Sequence, residues 1–193
     1  MKPLLLIAVV TCLAGVGSRQ QQVSPAPSGE TFDLTAATVG GPATLGTLTV
    51  PMVIQVDRYT EASDRKLMTD ALKYQGYPGF LQALRDAPPA GSLSVGQEKF
   101  VIRWARQQPG SSGRAISIVT DKPVFFVGGG NPNAKPKAGY DVAVAQFTVD
   151  STGHGSGTMA AAARVKPGGP AEFQIDYYAE TPMKITATVR PHP

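Results

Sequence analysis

The stretch KFVIRW, residues 99–104, decides the fold class because its side chains alternate. Phe100, Ile102 and Trp104 fall on one face, and two basic residues and a valine fall on the other. A period of two residues is the pattern of a β-strand with one buried face. We therefore expect a strand here, with Trp104 in the protein core.

Downstream of this strand the chain repeats short apolar and β-branched runs, which glycine, proline or polar turns separate. These runs predict strands at residues 115–119, 124–127, 140–149, 158–165, 171–178 and 183–189. Strands spaced by about 8–12 residues are typical of a sandwich or a barrel and not of a parallel α/β sheet. We expect a curled antiparallel meander that forms a partial barrel or a sandwich, because free sheet edges invite aggregation.

Two or three strands and a helical pair precede residues 99–104. The predicted strands are residues 31–36, 45–50 and 52–56. Within residues 61–86 the apolar period becomes helical, and Gly76 and Pro78 divide this segment into a pair of short helices. The stripe that these helices must bury is Leu67, Met68, Ala71, Leu72, Phe80, Leu81 and Leu84. The fold class is therefore α+β, mainly antiparallel β, in a single β-rich domain of residues 31–190.

The N-terminus predicts export. Lys2 precedes an apolar run from Leu4 to Val16, which matches the 7–15 residues or so of a secretory signal and is shorter than the roughly 20 of a membrane span. We expect residues 1–18 to be a signal peptide, cleaved near residues 17–18, and residues 19–30 to form a flexible leader. The protein is then periplasmic or secreted, with no transmembrane span in the mature chain.

Cys12 raises the alternative of a lipoprotein anchor. The apolar run continues beyond Cys12, whereas a lipid-modified cysteine opens a polar tether. We therefore expect Cys12 to leave with the signal peptide rather than to carry a lipid. Since the chain has one cysteine, the mature protein can form no intramolecular disulfide and must be stabilised by its apolar core.

The charge pattern does not indicate nucleic-acid binding. The net charge is +4, and basic residues are scattered among acidic ones rather than grouped in one stripe. Four basic residues near one predicted hairpin offer an alternative, a surface for an acidic partner: Lys99, Arg103, Arg106 and Arg114. We prefer to place Trp104 in the core, because the alternation puts it opposite Lys99 and Arg103.

No catalytic, cofactor-binding or metal-ligating set can be identified in the sequence. The chain has only two histidines, His154 and His192, so a metal site or a triad has few residues to draw on. We interpret the glycine-rich stretch of residues 150–161 as a hairpin with His154 at its exposed tip. Seven acidic residues remain for acid–base chemistry, with no signal that pairs any two: Asp57, Glu61, Asp64, Asp121, Asp141, Asp150 and Asp176.

Several short motifs are similar to those of a group of uncharacterised exported bacterial β-rich proteins. They are VDRYTEASDR (residues 56–65), TDKPVFF (120–126), Tyr140-Asp141, Val149-Asp150 and Gly155-x-Gly157. The resemblance implies a domain of unknown function behind a signal peptide, and it implies no site residues.

Two functions from different classes follow as hypotheses. The first is an exported non-catalytic binding or accessory protein of the cell envelope, with an apolar small molecule in the concave interior of the sheet or with an envelope protein as its partner. The alternative is a small hydrolase or isomerase that uses two carboxylates, or His154 with a carboxylate, at the mouth of the sheet. Whether the chain is an enzyme depends on which of these groups the fold brings together.

Overall fold

The computed structural model describes residues 29–37, 49–110, 113–124, 138–169, 172–177 and 182–191. The predicted signal peptide with Cys12, most of the predicted leader, His192 and parts of the strands predicted at 45–50, 124–127 and 171–178 lie outside these residues. The described elements are β1 (Glu30–Ala37), β2 (Thr49–Val56), α1 (Ala62–Asp86), β3 (Gly91–Val95), β4 (Glu98–Gly110), β5 (Gly113–Thr120), β6 (Val142–Asp150), β7 (His154–Pro167), β8 (Phe173–Tyr177) and β9 (Met183–Arg190).

The strands form a closed antiparallel barrel, so the prediction of a partial barrel or a sandwich was wrong in this respect. β1 to β7 pair in chain order, and β9 lies between β7 and β1 and closes a barrel of eight strands. β7 has 14 residues, which is long enough to pair with two different strands, β9 and β8, as well as with β6. Its first half, His154–Met159, pairs with β9, and its second half, Ala163–Pro167, pairs with β8, which lies outside the barrel.

Alternating side chains fill the inside of the barrel with apolar groups. β1 shows the pattern, because Phe32, Leu34 and Ala36 are buried and the residues between them are more exposed. The rings of Phe32 and Phe147 meet edge to face, with their centroids 5.3 Å apart. We call the buried side chains inside the barrel the inner core; it includes Phe32, Ile54, Leu93, Ile102, Ile116, Ile118 and Phe147.

A second apolar cluster lies between the outside of the barrel and α1. Trp104 belongs to this cluster and not to the cluster of Phe100 and Ile102, which corrects the prediction that these three residues share a face. A β-bulge between Ile102 and Trp104 places one extra residue on β4, so the side-chain alternation is reversed after it. We call this cluster the outer core; it includes Met68, Leu72, Phe80, Leu84, Trp104, Val119, Val142, Val144 and Phe173.

The predicted helical pair corresponds to α1, whose two helical parts meet at Gly76, where the backbone is not helical. The backbone of Gly76 has a φ of +73°, which glycine adopts readily, and Pro78 follows in the next turn. The helix buries Met68, Leu72, Phe80 and Leu84, while Ala71 and Leu81 are half-buried. Leu67 is 67% exposed, so its place in the buried stripe was wrong. Successive helical residues point about 100° apart, and burial of Met68 therefore turns Leu67 towards solvent.

No helix among the described residues is long and apolar enough to cross a membrane.

Candidate functional site

The acidic residues considered for catalysis lie in separate parts of the barrel. Asp121 Oδ2 lies 3.7 Å from Arg103 Nε, and Asp176 Oδ2 lies 3.2 Å from Arg164 Nε. The backbone N–H of Asp141 donates to the hydroxyl of Tyr77, a residue of α1. Three more acidic residues lie between β2 and the first turn of α1: Asp57, Glu61 and Asp64.

Asp150 and His154 lie together, but in an arrangement that orders a turn. Asp150 Oδ1 accepts hydrogen bonds from Thr152 N (2.8 Å), Thr152 Oγ1 (2.6 Å) and the backbone N of His154 (3.0 Å). These bonds lower the pKa of Asp150, those from Thr152 Oγ1 and His154 N most of all. His154 is the exposed first residue of β7, which confirms the hairpin interpretation. The carboxylate thus contacts the backbone of His154, where it cannot orient the imidazole.

The four basic residues near Trp104 do not form one patch. Lys99 is exposed, and the other three pair with three different carboxylates: Arg103 with Asp121, Arg106 with Glu172, and Arg114 with Glu30. A common surface for an acidic partner is therefore not formed.

Four polar side chains meet inside one end of the barrel, where β1 begins and β9 ends. Glu30 enters from β1, Tyr59 from the segment after β2, Gln107 from β4 and Arg114 from β5. Tyr59 Oη donates to Glu30 Oε2 at 2.6 Å. Arg114 Nη1 donates to Glu30 Oε2 at 2.7 Å and to Gln107 Oε1 at 3.0 Å. We call these four residues the mouth cluster.

The mouth cluster is a satisfied polar cap on the inner core. Burial, and then the hydrogen bond to Glu30, raise the pKa of Tyr59 well above its usual value, so its hydroxyl remains a donor at neutral pH. The guanidinium of Arg114 also lies over the ring of Phe32, 5.8 Å from its centroid. Because Glu30 and Arg114 carry opposite charges, the pair has no net charge.

An open cleft of about 520 Å³ lies beside the mouth cluster and shares Arg114 with it. The polar part of its wall is Arg114 and the turn of residues 150–153. Its apolar part is Val149, Val189 and Pro191, and Gly113 completes the lining without a side chain. We call this space the end cleft.

Comparison with protein-family models, with curated proteins and with solved structures gives no match for this chain. Function is therefore inferred from the site alone. Among the residues that the structure describes, no three His, Cys, Asp or Glu side chains are close enough together to hold a metal ion.

Sequence reasoning did not find the mouth cluster. Glu30 was assigned to the leader, although it continues the inward alternation of Phe32 and Leu34 and is the first residue of β1. That alternation was the signal that would have placed a carboxylate inside the barrel. Gln107 and Arg114 carry no comparable local signal, because they are brought together only by pairing of β4 with β5.

Proposed function

We propose that the protein is an exported non-catalytic binding or accessory protein of the cell envelope, and that it contacts its ligand or partner at the end cleft. The observation that carries this proposal is the end cleft itself, a concave surface with an apolar wall and one guanidinium. Ligand sites commonly combine an apolar lining with a few polar groups that orient the ligand.

The packing of the barrel favours its end over its interior as the binding site. The inner core contains large side chains with no exposed surface, including Phe32, Ile54 and Ile118. A ligand inside the barrel would have to displace these packed groups, at the cost of their contacts. A ligand in the end cleft would leave this packing intact.

The hydrogen bonding of the acidic groups favours binding over catalysis. A carboxylate-dependent hydrolase or isomerase, the alternative function, needs two acid–base groups directed at one reacting atom. Glu30 accepts from Tyr59 and Arg114, and Asp150 accepts from its own turn. Both carboxylates are thus occupied by donors from the protein itself, and those in its own turn lower the pKa of Asp150, which suits positioning better than proton transfer.

The test is to titrate a cell-envelope extract into the ¹⁵N-labelled protein and to follow its amide resonances. We expect changes at Gly113, Gly153 and Val189 with no chemical conversion of the bound component. Pro191→Asp should abolish these changes, because it places a charge in the apolar part of the wall, and Pro191 is exposed and thus free to change without loss of the fold.

Leu67→Asp is the matched control. It also introduces a carboxylate at an exposed apolar position, but on α1, and it should leave the titration unchanged. Changes confined to α1, or an extract component that is consumed, would contradict the proposal.

A further inference from the structure

We propose that the end cleft takes an uncharged acyl group, that is, an amide or ester carbonyl on a short apolar chain, with Arg114 donating a hydrogen bond to the carbonyl oxygen. This inference rests on the proposed function and adds the class of ligand. It follows from the charges around Arg114, from the donors of its guanidinium and from the apolar part of the wall.

The charges around the end cleft disfavour an ionised ligand. The charge of Arg114 is already balanced by Glu30, whose side chain is only 11% exposed. Asp150 adds a second carboxylate at the rim, and its lowered pKa keeps it ionised. A ligand carboxylate would lie near two like charges, whereas a ligand cation would lie against Arg114. A neutral acceptor avoids both repulsions.

The guanidinium has the donors that such a ligand needs. Its contacts with Glu30 and Gln107 all use Nη1. A guanidinium carries five N–H donors on three nitrogens, so these contacts do not involve Nε or Nη2. Because the side chain of Arg114 lines the end cleft and is 22% exposed, it can donate to a carbonyl there.

The apolar part of the wall and the size of the cleft define the rest of the ligand. Val189 and Pro191 keep exposed surface and present only carbon atoms in their side chains, which suits a short hydrocarbon chain. The volume of about 520 Å³ lies in the range of roughly 300–1,000 Å³ that small-molecule sites occupy. The lining thus combines one donor with an apolar surface.

The experiment compares three ligands of equal chain length, hexanamide, hexanoate and hexylammonium, with amide resonances of the ¹⁵N-labelled protein as the readout. Hexanamide should move the resonances of Gly113 and Gly153. The two ions should bind at least about fivefold more weakly because each meets a like charge at the cleft; this ratio corresponds to roughly 1 kcal/mol. Arg114→Lys should weaken hexanamide by a similar factor, because a lysine does not reproduce the planar fork of donors.

Two further variants test separately whether the position of the arginine matters and whether the charge of Glu30 sets the ligand preference. Arg190→Lys changes an arginine that pairs with Asp33 at the same end of the barrel, outside the cleft lining, and it should leave hexanamide binding unchanged. Glu30→Gln removes the charge that balances Arg114 and should shift the preference towards hexanoate. This variant also tests the charge argument if Arg114→Lys fails to fold.

The outcomes distinguish this inference from the proposed function. Tighter binding of hexanoate than of hexanamide would overturn the uncharged class and leave the end cleft as the binding site. Equal binding of hexanamide to Arg114→Lys and to the unaltered protein would overturn the role of Arg114. If none of the three ligands moves Gly113 or Gly153, the inference fails, and the extract titration with Pro191→Asp decides separately whether the end cleft binds anything.

Discussion

The inner core and the outer core are enclosed by different kinds of structure. The inner core is surrounded by eight strands whose ladders close on themselves, so backbone hydrogen bonds hold its boundary. The outer core has the barrel on one side and α1 on the other, and α1 is held there largely by side chains such as Leu72 and Phe80. The comparison indicates that the barrel and α1 depend on different interactions for their stability.

The two cores also differ in whether their buried polar groups have partners. At the inner core, the charged side chains Glu30 and Arg114 of the mouth cluster satisfy each other. In the outer core, Trp104 is fully buried and its Nε1 has no hydrogen-bond partner among the described residues. An unsatisfied buried donor costs about 1–3 kcal/mol, which the ring contact of Trp104 with Phe173, at 5.3 Å, helps to offset.

The largest effect is expected from Phe32→Ala in the inner core. The ring has no exposed surface and packs on Phe147, so its removal should lower the free energy of unfolding by about 3–5 kcal/mol. Hydrogen exchange should accelerate throughout the barrel and α1, because the closed ladder unfolds as a unit. A loss below about 1 kcal/mol in denaturant titrations would show that the inner core is not what stabilises the barrel.

A smaller and more local effect is expected from Leu72→Ala in the outer core. Leu72 is 2% exposed, and its truncation should cost about 2–4 kcal/mol, with faster amide exchange in α1 than in β1 and β2. Leu67→Ala is the control on the same helix and should change stability by less than about 0.5 kcal/mol, because Leu67 is exposed. Equal acceleration in α1 and the barrel would mean that the two cores unfold together.

The smallest effect is expected from the mouth cluster at alkaline pH. The pKa of Tyr59 is raised in the folded protein above its unfolded value of about 10, so the folded state holds this proton more tightly. The resulting stability is present below pH 10 or so and is lost as the pH rises further. We expect Tyr59→Phe to flatten the decline of unfolding free energy between roughly pH 9 and 11.

Tyr77 provides the comparison for this measurement at the outer core. Burial raises the pKa of Tyr77 to about 12, so Tyr77→Phe should also flatten the alkaline decline. Up to about pH 11 the two variants should flatten the decline to a similar extent, because both hydroxyls keep their proton in the folded protein there; only above about pH 12 should Tyr59→Phe have the larger effect, because the hydroxyl of Tyr59 also contacts the carboxylate of Glu30. An alkaline decline that neither variant alters would show that other groups cause it.

Local pattern was sufficient to place most of the secondary structure. The predicted strand 183–189 corresponds to β9, and the predicted strand 140–149 largely to β6. Gly76 and Pro78 marked the break in α1. These predictions succeeded because side-chain period and the backbone freedom of glycine act over a few residues.

Two glycines in β7 are required for close contact between strands and not for a turn. The predicted strand begins at residue 158, whereas β7 begins at His154 and includes Gly155 and Gly157. A Cβ on Gly155 would lie 1.9 Å from the carbonyl oxygen of Thr148, and one on Gly157 would lie 2.0 Å from that of Gln146. These two glycines let β6 and β7 approach, a requirement that no residue near them in the sequence reveals.

The sequence by itself therefore determined the β-rich class, the helical segment and most strand positions, and it predicts export through residues 1–18. Only the tertiary structure decided that the barrel closes, that Trp104 faces α1, and that the mouth cluster forms. Each of these depends on pairing between distant parts of the chain; Arg190 on β9 and Asp33 on β1, for example, are bonded across 157 positions. Local periodicity carries no information about such pairings, because it reports which face of a strand is apolar and not which strand lies beside it.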